Sequence, residues 1–563
     1  MIVYNCPLVP FEFFKALGIQ SRRIENTGCE FDRLSPNLCS LCRRSVASID
    51  KNDVLVWIDS CDSSRRTSDF LKLTNKIFEL HVPVTSDEEA VSRLSDDLKI
   101  LWRSLKAVFG NVSDEKLYEV HSDFQKQMAL LEKTLREDLN EAKRLYEQII
   151  SEKWVGSTQR RGKPILILGA PVEENIVKII EESGGYAING TCSGPYSMIS
   201  QIPDRSNVFK NIAYRILNKK LVCMRSAFKR DISKLIDTTK PEAIVLHTIK
   251  FCDFYSFDEK ELRKTKIPFV VVEDDLTSLA NAQMKTRIEA LIELLSHQEN
   301  GIPERFELFV GIDSGSTTTK IVVLDAQAKP LYKNTVKTGA YPVLTAKGLY
   351  EEVLAKFKVP RSKIYLVSTG YGRASLDFAN ERVTEITCHA KGVHFFLPKV
   401  KTIIDIGGQD SKVIRVEDGQ VVEFAMNDKC AAGTGRFLEV MANILDTPLQ
   451  KIGKLSLEHK NEVDISSVCT VFAESEVVSL RASGHTREDI LYAVHKAIAK
   501  RVGTMYERIK GTQPVALTGG VALNEGLKVA LERVLNIEIQ IPPEPVLTGA
   551  FGAAVIGYWA NRQ

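Results

Sequence analysis

This 563-residue sequence has little that would take it to a membrane, to nucleic acid or out of the cell. No apolar run approaches the length of a membrane span, and Met1 is followed by neither the basic start nor the long apolar core of a signal peptide. The formal net charge is only +3 with both signs interspersed, so no basic surface is indicated. We therefore expect a cytoplasmic protein with no membrane and no nucleic-acid partner.

Histidine pairs with the spacing of a metal site are also lacking. The nine histidines show no HxxxH or HExxH pattern, so we interpret them, including His247, His389 and His394, as structural. The sequence does contain 44% hydrophobic residues, enough for the cores of three or four domains. It also contains eleven cysteines, which in a reducing compartment form no disulfide framework, so clustered ones indicate metal or redox chemistry.

Two strand–turn–strand patterns in the C-terminal half predict phosphate-binding hairpins. In the first, the turn 313–318 is rich in small residues and separates strands at 306–312 and 319–324. Gly315 would let the backbone come close to a phosphate, and successive N–H groups would point inward. The pattern recurs around the turn 406–411. Two copies imply two facing lobes.

Polar residues at these turns supply candidate catalytic groups. Asp313 and Asp405 each fall at a strand end beside a turn, where a carboxylate can hold hydrated Mg²⁺ or orient a water. Gln409 can position the attacking water, as glutamine does in other nucleotide hydrolases. A third element is a strand that ends at Gly519 and Gly520, where a flat adenosine can lie against the backbone. The candidate nucleotide-binding residues are Ser314, Gly315, Ser316, Thr317, Thr318, Lys320, Gly407, Gly408, Gly519, Gly520 and Asn524.

The three loops, in this order, resemble those of the actin, Hsp70 and sugar-kinase ATPase superfamily. Residues 306–563 further resemble the activator ATPases of 2-hydroxyacyl-CoA dehydratases and their benzoyl-CoA reductase relatives. The motifs that carry this resemblance are GIDSGSTTTK, STGYGR, DIGGQDSK, NDKCAAGTGRFLE, VFAESE, LTGGVALN and GAFGAA. The resemblance implies a homodimer in which Cys430 and Cys469 of each subunit hold one [4Fe-4S] cluster at the interface.

Residue chemistry agrees with a metal role for these two cysteines. Each precedes a predicted helix, and thiolates at helix N-termini are favoured by the helix dipole. Two ligands per chain are too few for a cubane, which takes four thiolates, so dimerisation would supply the rest. The alternative is that Cys430 and Cys469 are small buried apolar residues, as most free cysteines are.

The N-terminal half contains further candidate ligands. Cys39 and Cys42 form a CxxC, a spacing used by zinc, by iron–sulfur clusters and by redox pairs. Cys61 and Cys252 fall just past two predicted strands, where open parallel sheets place their ligands.

Residues 1–298 resemble the 2-hydroxyacyl-CoA dehydratase subunit family, which includes the double-cubane cluster proteins. The matching motifs are CPLVPFEFFKALG, SPNLCSLC, DSCDSSRR and HTIKFCDFYSFDEKEL. The resemblance implies cluster ligands at Cys39, Cys61 and Cys252. The cysteines that would extend this set toward a double cubane are Cys6, Cys42 and one of Cys29 and Cys192. A zinc site, or cysteines kept from a cluster-binding ancestor, are the alternatives.

The predicted fold is α/β. Two Rossmann-like lobes, at 1–85 and 161–300, flank a helical segment at 86–160, and a two-lobed actin-like ATPase with duplicated phosphate-binding hairpins follows at 304–563. A capping box at Ser86 predicts the first residue of the helical segment. Its apolar residues recur at three- and four-residue spacing, which indicates packing.

The predicted function is ATP-dependent, low-potential electron transfer. A reduced ferredoxin or flavodoxin would supply the electron, and ATP hydrolysis would drive it from the interfacial cluster to a second iron–sulfur centre. That centre would lie in the N-terminal half or in a dehydratase or reductase acceptor protein. The alternatives are a small-metabolite kinase of the same superfamily and a nucleotide-dependent scaffold for a partner reductase. A dehydratase pairs two homologous subunits, and one such unit is present, so we expect no dehydratase activity from this chain alone.

Overall fold

The computed structural model describes residues 1–24, 46–59, 62–83, 85–150, 152–191, 194–197, 207–217, 232–249, 256–274, 280–295, 306–427, 431–465 and 470–560. The chain forms two compact units, Met1–Leu295 and Ser296–Gln563. Both are mixed α/β structures that contain parallel strand pairs. None of the helices in these ranges combines the length and the apolar character that a bilayer crossing requires.

In the first unit, the described strands form two parallel sheets with the same order, β2-β1-β3-β4 and β6-β5-β7-β8. The strands are β1 Ile2–Tyr4, β2 Ser21–Arg23, β3 Val54–Ile58, β4 Lys76–Leu80, β5 Lys163–Gly169, β6 Gly185–Asn189, β7 Ala243–Ile249 and β8 Phe269–Asp274. The central strands are continuous apolar runs because helices cover both faces of a parallel sheet. The described helices are α1 Phe11–Ala16, α2 Asp62–Leu71, α3 Glu88–Phe109, α4 Asp114–Glu137, α5 Leu139–Ile150, α6 Glu174–Glu182, α7 Val208–Leu217, α8 Ile232–Thr239, α9 Ser256–Leu262 and α10 Ala280–Leu295.

The long helices α3, α4 and α5 separate the two sheets in the sequence. Asp87 caps α3, because its side chain accepts a hydrogen bond of 2.8 Å from the N–H of Ala90. The cap predicted at Ser86 is therefore wrong by one residue. An aspartate makes an equally good cap, and here it lies at the position whose carboxylate reaches a free helical N–H.

The apolar stripe along α4 and α5 is buried in one core with residues of α1 and α3. Phe124, Leu131 and Ile149 are each at most 1% exposed, which confirms that the stripe is packing. Two fully buried charges lie in the same layer, where Arg215 of α7 donates to Glu12 of α1 at 2.8 Å. This ion pair ties together segments that are far apart in the sequence.

The second unit contains two sheets with matching topology, β11-β10-β9-β12-β13 and β16-β15-β14-β17-β18. In each, three consecutive strands form an antiparallel meander, and later strands add in parallel to the first of them. The strands are β9 Leu308–Ser314, β10 Thr318–Asp325, β11 Pro330–Lys337, β12 Ile364–Thr369, β13 Glu381–Arg382, β14 Thr402–Ile406, β15 Ser411–Glu417, β16 Gln420–Asn427, β17 Val515–Thr518 and β18 Ile539–Gln540. The described helices are α11 Pro342–Phe357, α12 Glu385–Phe396, α13 Gly435–Ile444, α14 Ile452–Ser456, α15 Thr470–Ala482, α16 Arg487–Arg508, α17 Glu525–Leu535 and α18 Thr548–Ala560.

Two helices join these sheets. α18 packs on β9, β10 and β12, and α12 packs on β14, β15 and β16. A Cβ on Gly552 would lie 1.7 Å from the carbonyl oxygen of Cys388, and one on Gly392 would lie 1.9 Å from that of Thr548. The helices therefore meet backbone to backbone, which only glycine allows at these two positions.

Candidate nucleotide-binding site

A cleft of about 450 Å³ opens in the second unit where the turns of two hairpins meet. The first turn joins β9 to β10, and the second joins β14 to β15. A Cβ on Gly408 of the second turn would lie 2.8 Å from Thr317 Oγ1 of the first, so the two turns are in contact. The predicted site residues that line the cleft are Asp313, Gly315, Ser316, Thr317, Thr318, Lys320, Asp405, Gly407, Gly408, Gly519, Gly520 and Asn524.

Two predicted residues do not line this cleft. Ser314 is 1% exposed, and a Cβ on Gly372 would lie 2.3 Å from its Oγ. Side chains alternate along a strand, so Ser314 points away from the cleft that Asp313 lines. Gln409 is exposed on the second turn, and its neighbour Asp410 lines the cleft instead. A nucleotide role for Ser314 or Gln409 stays a prediction.

The first turn is closed tightly and held by its own sheet. The N–H of Gly315 donates to the carbonyl of Thr318 at 3.1 Å, and a Cβ on Gly315 would lie 2.9 Å from that oxygen. Thr338, just after β11, donates its hydroxyl to the Gly315 carbonyl at 2.7 Å and its N–H to the Thr317 carbonyl at 3.0 Å. These bonds hold the turn in place, and residues Gly315 to Thr318 line the cleft.

The second turn is held by a helix. The N–H of Gly407 donates to the carbonyl of Asp410 at 2.9 Å, which closes the turn. The carbonyls of Gly407 and Gly408 accept hydrogen bonds of 2.8 Å from the N–H groups of Gly435 and Arg436. These donors begin α13, so the helix N-terminus and the turn are bonded directly to each other.

Each hairpin sets an aspartate directly opposite a lysine, Asp313 against Lys320 and Asp405 against Lys412. Lys320 Nζ donates to Asp313 Oδ2 at 2.8 Å. Burial alone would lower the pKa of Lys320, but the Asp313 carboxylate has the larger effect, so the pKa is raised. Lys412 Nζ lies 3.6 Å from Asp405 Oδ2 and donates to Asp410 Oδ2 at 2.6 Å. The Lys412 pKa is raised well above its usual value, because these carboxylates outweigh burial. The cleft thus holds two ammonium groups, which suit a polyphosphate.

Asp405 is a buried carboxylate of the cleft with several polar neighbours. Its Oδ1 accepts from the hydroxyl of Thr518 at 2.8 Å and lies 3.5 Å from His389 Nδ1. Burial raises the pKa of Asp405, but His389, Lys412 and Thr518 outweigh it and lower the pKa, so the group is ionised at neutral pH.

Sequence reasoning missed several residues that line the cleft, among them Asp410, Lys412, Glu385 and His389. Lys412 repeats the spacing from aspartate to lysine found in the first hairpin, which is a signal that could have found it. Glu385, the first residue of α12, is 4% exposed, and neither carboxyl oxygen makes a hydrogen bond. Arg373 Nη1 lies 3.5 Å away. A buried carboxylate so placed has acceptor capacity left for a ligand or its water.

At the third element, Gly519 and Asn524 shape the wall of the cleft. Gly519 has φ +86°, and a Cβ there would lie 2.3 Å from the carbonyl of Ile406. Asn524 accepts from the N–H of Leu527 at 3.0 Å and donates to His495 Nε2 at 3.0 Å. Burial lowers the pKa of His495 to about 4, so its ring is a neutral acceptor at pH 7. The Asn524 amide is therefore fixed in orientation.

All six predicted metal ligands lie outside the described residues: Cys39, Cys42, Cys61, Cys252, Cys430 and Cys469. Within the described part of the chain, no group of three or more potential metal-binding side chains occurs. Described elements adjoin two of these cysteines, since α15 begins at Thr470 and α13 at Gly435, and the two helices pack in one core.

Acid–histidine pairs mark the carboxyl edges of both sheets in the first unit. After β3 and β4, Asp59 Oδ2 lies 2.7 Å from His81 Nδ1. At β7 and β8, His247 Nε2 lies 3.6 Å from Asp274 Oδ2, with both residues at most 1% exposed. The structure thus places polar groups at the two strand ends that the predicted cysteine ligands follow.

Two sheets of matching topology, joined by packed helices and bordering a cleft lined by glycine turns with paired Asp–Lys charges, are what a nucleotide-binding ATPase requires. Residues 310–557 match the model of the BadF/BadG/BcrA/BcrD ATPase family, and residues 6–295 match that of the 2-hydroxyglutaryl-CoA dehydratase, D-component. The chain therefore belongs to the dehydratase D-component family in its first unit and to this ATPase family in its second. The resemblance predicted from the motifs is confirmed for both halves.

Three similar proteins show which parts of the chain have relatives. The 2-hydroxyisocaproyl-CoA dehydratase activator of Clostridioides difficile is 43% identical over 251 residues, 44% of this chain and 94% of that protein. The crystal structure of Acidaminococcus fermentans (R)-2-hydroxyglutaryl-CoA dehydratase component A is 42% identical, covers 46% of this chain and 100% of that one, and has a TM-score of 0.44. An uncharacterised Methanocaldococcus jannaschii protein is 30% identical over 404 residues, 68% of this chain and 93% of that protein. This last match is longer than either unit, so a relative also joins the two.

Proposed function

We propose that this protein couples ATP hydrolysis to low-potential, one-electron transfer through a [4Fe-4S] cluster shared by two copies of the chain. The electron would come from a reduced ferredoxin or flavodoxin. It would go to a second iron–sulfur centre, single or double cubane, in the first unit or in a dehydratase or reductase partner. The names of the activator relatives support such an acceptor.

One observation carries the coupling. The second turn is hydrogen-bonded to the first residues of α13, Gly435 and Arg436, and Cys430 lies only a few residues before them. When a phosphate leaves the cleft, a shift of this turn pulls directly on α13 and on the segment that carries Cys430. Two backbone hydrogen bonds thus link the cleft to the first residues of α13, and Cys430 precedes these residues by a few positions in the sequence.

The donor set fits a shared cluster. Cys430 and Cys469 are thiols that precede α13 and α15, and helix N-termini favour thiolates. Four thiolates per cubane then require two copies of the chain. When bound, the cluster supplies a one-electron redox centre. In the first unit, Cys39, Cys42, Cys61 and Cys252 would hold the second centre, in Rossmann-like lobes at 1–85 and 161–300.

Hydrolysis would use the residues of the two turns. Their amides bind the phosphates, Lys320 and Lys412 balance phosphate charge, and Gly519 and Gly520 accommodate the adenosine. Asp313 and Asp405 orient a water and the hydrated Mg²⁺. The remaining predicted contacts are those of Ser314, Gln409 and Asn524.

Iron and acid-labile sulfide analysis of anaerobically purified protein tests this proposal, alongside ATP hydrolysis and ATP-dependent reduction of a dye. Cys430→Ala should lose one centre and electron transfer while it still hydrolyses ATP, and Cys61→Ala should lose the other centre. Cys388→Ala is the matched control, because Cys388 is a buried residue of α12 with no metal role in the proposal. Wild-type protein that hydrolyses ATP but contains no iron would contradict it.

A further inference from the structure

Asn524 lines the cleft where three helices meet. It caps α17, because its Oδ1 accepts a hydrogen bond of 3.0 Å from the N–H of Leu527. Its Nδ2 donates to His495 Nε2 of α16 at 3.0 Å. A Cβ on Gly453 of α14 would lie 2.5 Å from Oδ1, so the backbone of that helix lies directly against the amide oxygen. The side chain of Asn524 is therefore held by all three helices.

His495 is a fully buried residue that does not itself line the cleft. Its Nδ1 lies 2.8 Å from the carbonyl oxygen of Leu491, which can only accept, so Nδ1 carries the proton. The ring is neutral at pH 7, because burial lowers the pKa of His495 to about 4. Nε2 is then an acceptor, which matches the hydrogen that it receives from Asn524.

These bonds permit one orientation of the Asn524 amide. Reversing it would set the amide nitrogen against the N–H of Leu527 and the amide oxygen against the lone pair of His495 Nε2. A side-chain amide carries two N–H hydrogens, and His495 accepts one of them. The described residues supply no acceptor for the other. One N–H donor of Asn524 is thus left for a ligand in the cleft.

The wall around Asn524 suits a nucleoside better than a phosphate. Its neighbour Glu525 also lines the cleft, and a carboxylate beside the amide disfavours a phosphate. The ammonium groups of Lys320 and Lys412 lie instead at the two hairpin turns. A nucleoside offers neutral acceptors, which are the ribose hydroxyls and the ring nitrogens of the base.

We propose that Asn524 donates its second amide hydrogen to the nucleoside of ATP, at a ribose hydroxyl or a purine ring nitrogen, and that His495 positions the amide for this bond. The inference rests on the proposed binding of ATP in the cleft. His495 is a positioning residue, because it acts on the nucleotide only by holding Asn524. The pair should therefore add affinity for the nucleoside and none for the phosphates.

Binding of ADP and of inorganic triphosphate, each with Mg²⁺, separates nucleoside recognition from a general fault. His495→Leu should bind ADP about fivefold more weakly, as one misplaced hydrogen bond implies, and inorganic triphosphate as wild type does. His459→Leu is the matched control, because that ring also lies 2.8 Å from a carbonyl, that of Ser456, and stacks on Tyr492 of α16, but does not line the cleft. Equal weakening of both ligands in His495→Leu, or unchanged ADP binding, would overturn the inference.

Asn524→Ser tests the donor while His495 stays in place. Serine keeps a hydroxyl that can cap α17 but has no amide hydrogen, so ADP should again bind about fivefold more weakly and inorganic triphosphate normally. Adding His495→Leu to this variant should cause little further loss, since the histidine acts through the amide. Additive losses would contradict the positioning role. If His495→Leu does not fold, Asn524→Ser still decides, because wild-type ADP binding by this variant would refute the contact.

The analogue 2′,3′-dideoxy-ADP, which lacks both ribose hydroxyls, identifies the acceptor. If a ribose hydroxyl accepts, Asn524→Ser and wild type should bind this analogue equally. If a ring nitrogen accepts, the difference of about fivefold should remain, and either pattern supports the inference. Wild-type protein that binds ADP no better than inorganic triphosphate would overturn it. Wild-type protein that binds neither would instead refute the proposed function itself.

Discussion

The two hairpin turns of the cleft share the same chemistry but differ in what supports them. Both pair an aspartate with a lysine across the hairpin. The first turn is bonded to Thr338 of its own sheet, whereas the second is bonded to Gly435 and Arg436 of α13. Under the proposed function, this difference would let the first turn stay in place while the second transmits motion to α13, because the carbonyl oxygens of the two turns accept from different donors.

The largest loss of activity should come from changing Asp313 or Asp405, the carboxylates that occupy equivalent positions in the two hairpins. Asp313→Asn and Asp405→Asn should each lower kcat for ATP hydrolysis about 10²- to 10³-fold, because each removes a charge beside the reacting phosphate and leaves a buried lysine less well paired. Phosphate release at saturating ATP measures this. A loss in one variant alone would show that the two hairpins are not chemically equivalent.

A bulky side chain between the second turn and α13 should reduce electron transfer while ATP hydrolysis continues. A Cβ on Gly435 would already lie 3.2 Å from the Gly407 carbonyl, so Gly435→Val pushes the helix off the turn. Electrons delivered to a dye per ATP hydrolysed should fall about 30-fold, the equivalent of the roughly 2 kcal/mol that two backbone hydrogen bonds of about 1 kcal/mol each contribute. Gly348→Val, on α11 with no atom within 4 Å of the new Cβ, is the control. If Gly435→Val delivers as many electrons per ATP as wild type, the second turn does not transmit motion and does not differ from the first in this respect.

The smallest effect should come from loosening the first turn. Thr338→Val removes a hydroxyl that donates to the Gly315 carbonyl at 2.7 Å and lies 3.0 Å from Thr319 Oγ1. The bond to Gly315 supports the turn, and losing its roughly 1 kcal/mol should raise the KM for ATP about fivefold, while electrons per ATP stay constant. A drop in that ratio would mean that the first turn also transmits motion.

Most residues of the two hairpin turns could be predicted from the sequence, because glycines and aspartates at turns between apolar strands are local signals. Ser314 shows where spacing alone fails, since strand alternation turns it away from Asp313 and the cleft. Glu385 and His389 reach the cleft from α12, a helix whose place is set by packing against α18 far along the sequence. No local pattern encodes that contact.

Amide hydrogen exchange with site resolution tests most directly whether the second turn transmits the nucleotide state. Exchange in residues 431–444, above all at the amides of Gly435 and Arg436, should differ between protein bound to a non-hydrolysable ATP analogue and protein bound to ADP. The amide of Thr338 should exchange alike in both states. Identical exchange of residues 431–444 in the two nucleotide states would contradict the account.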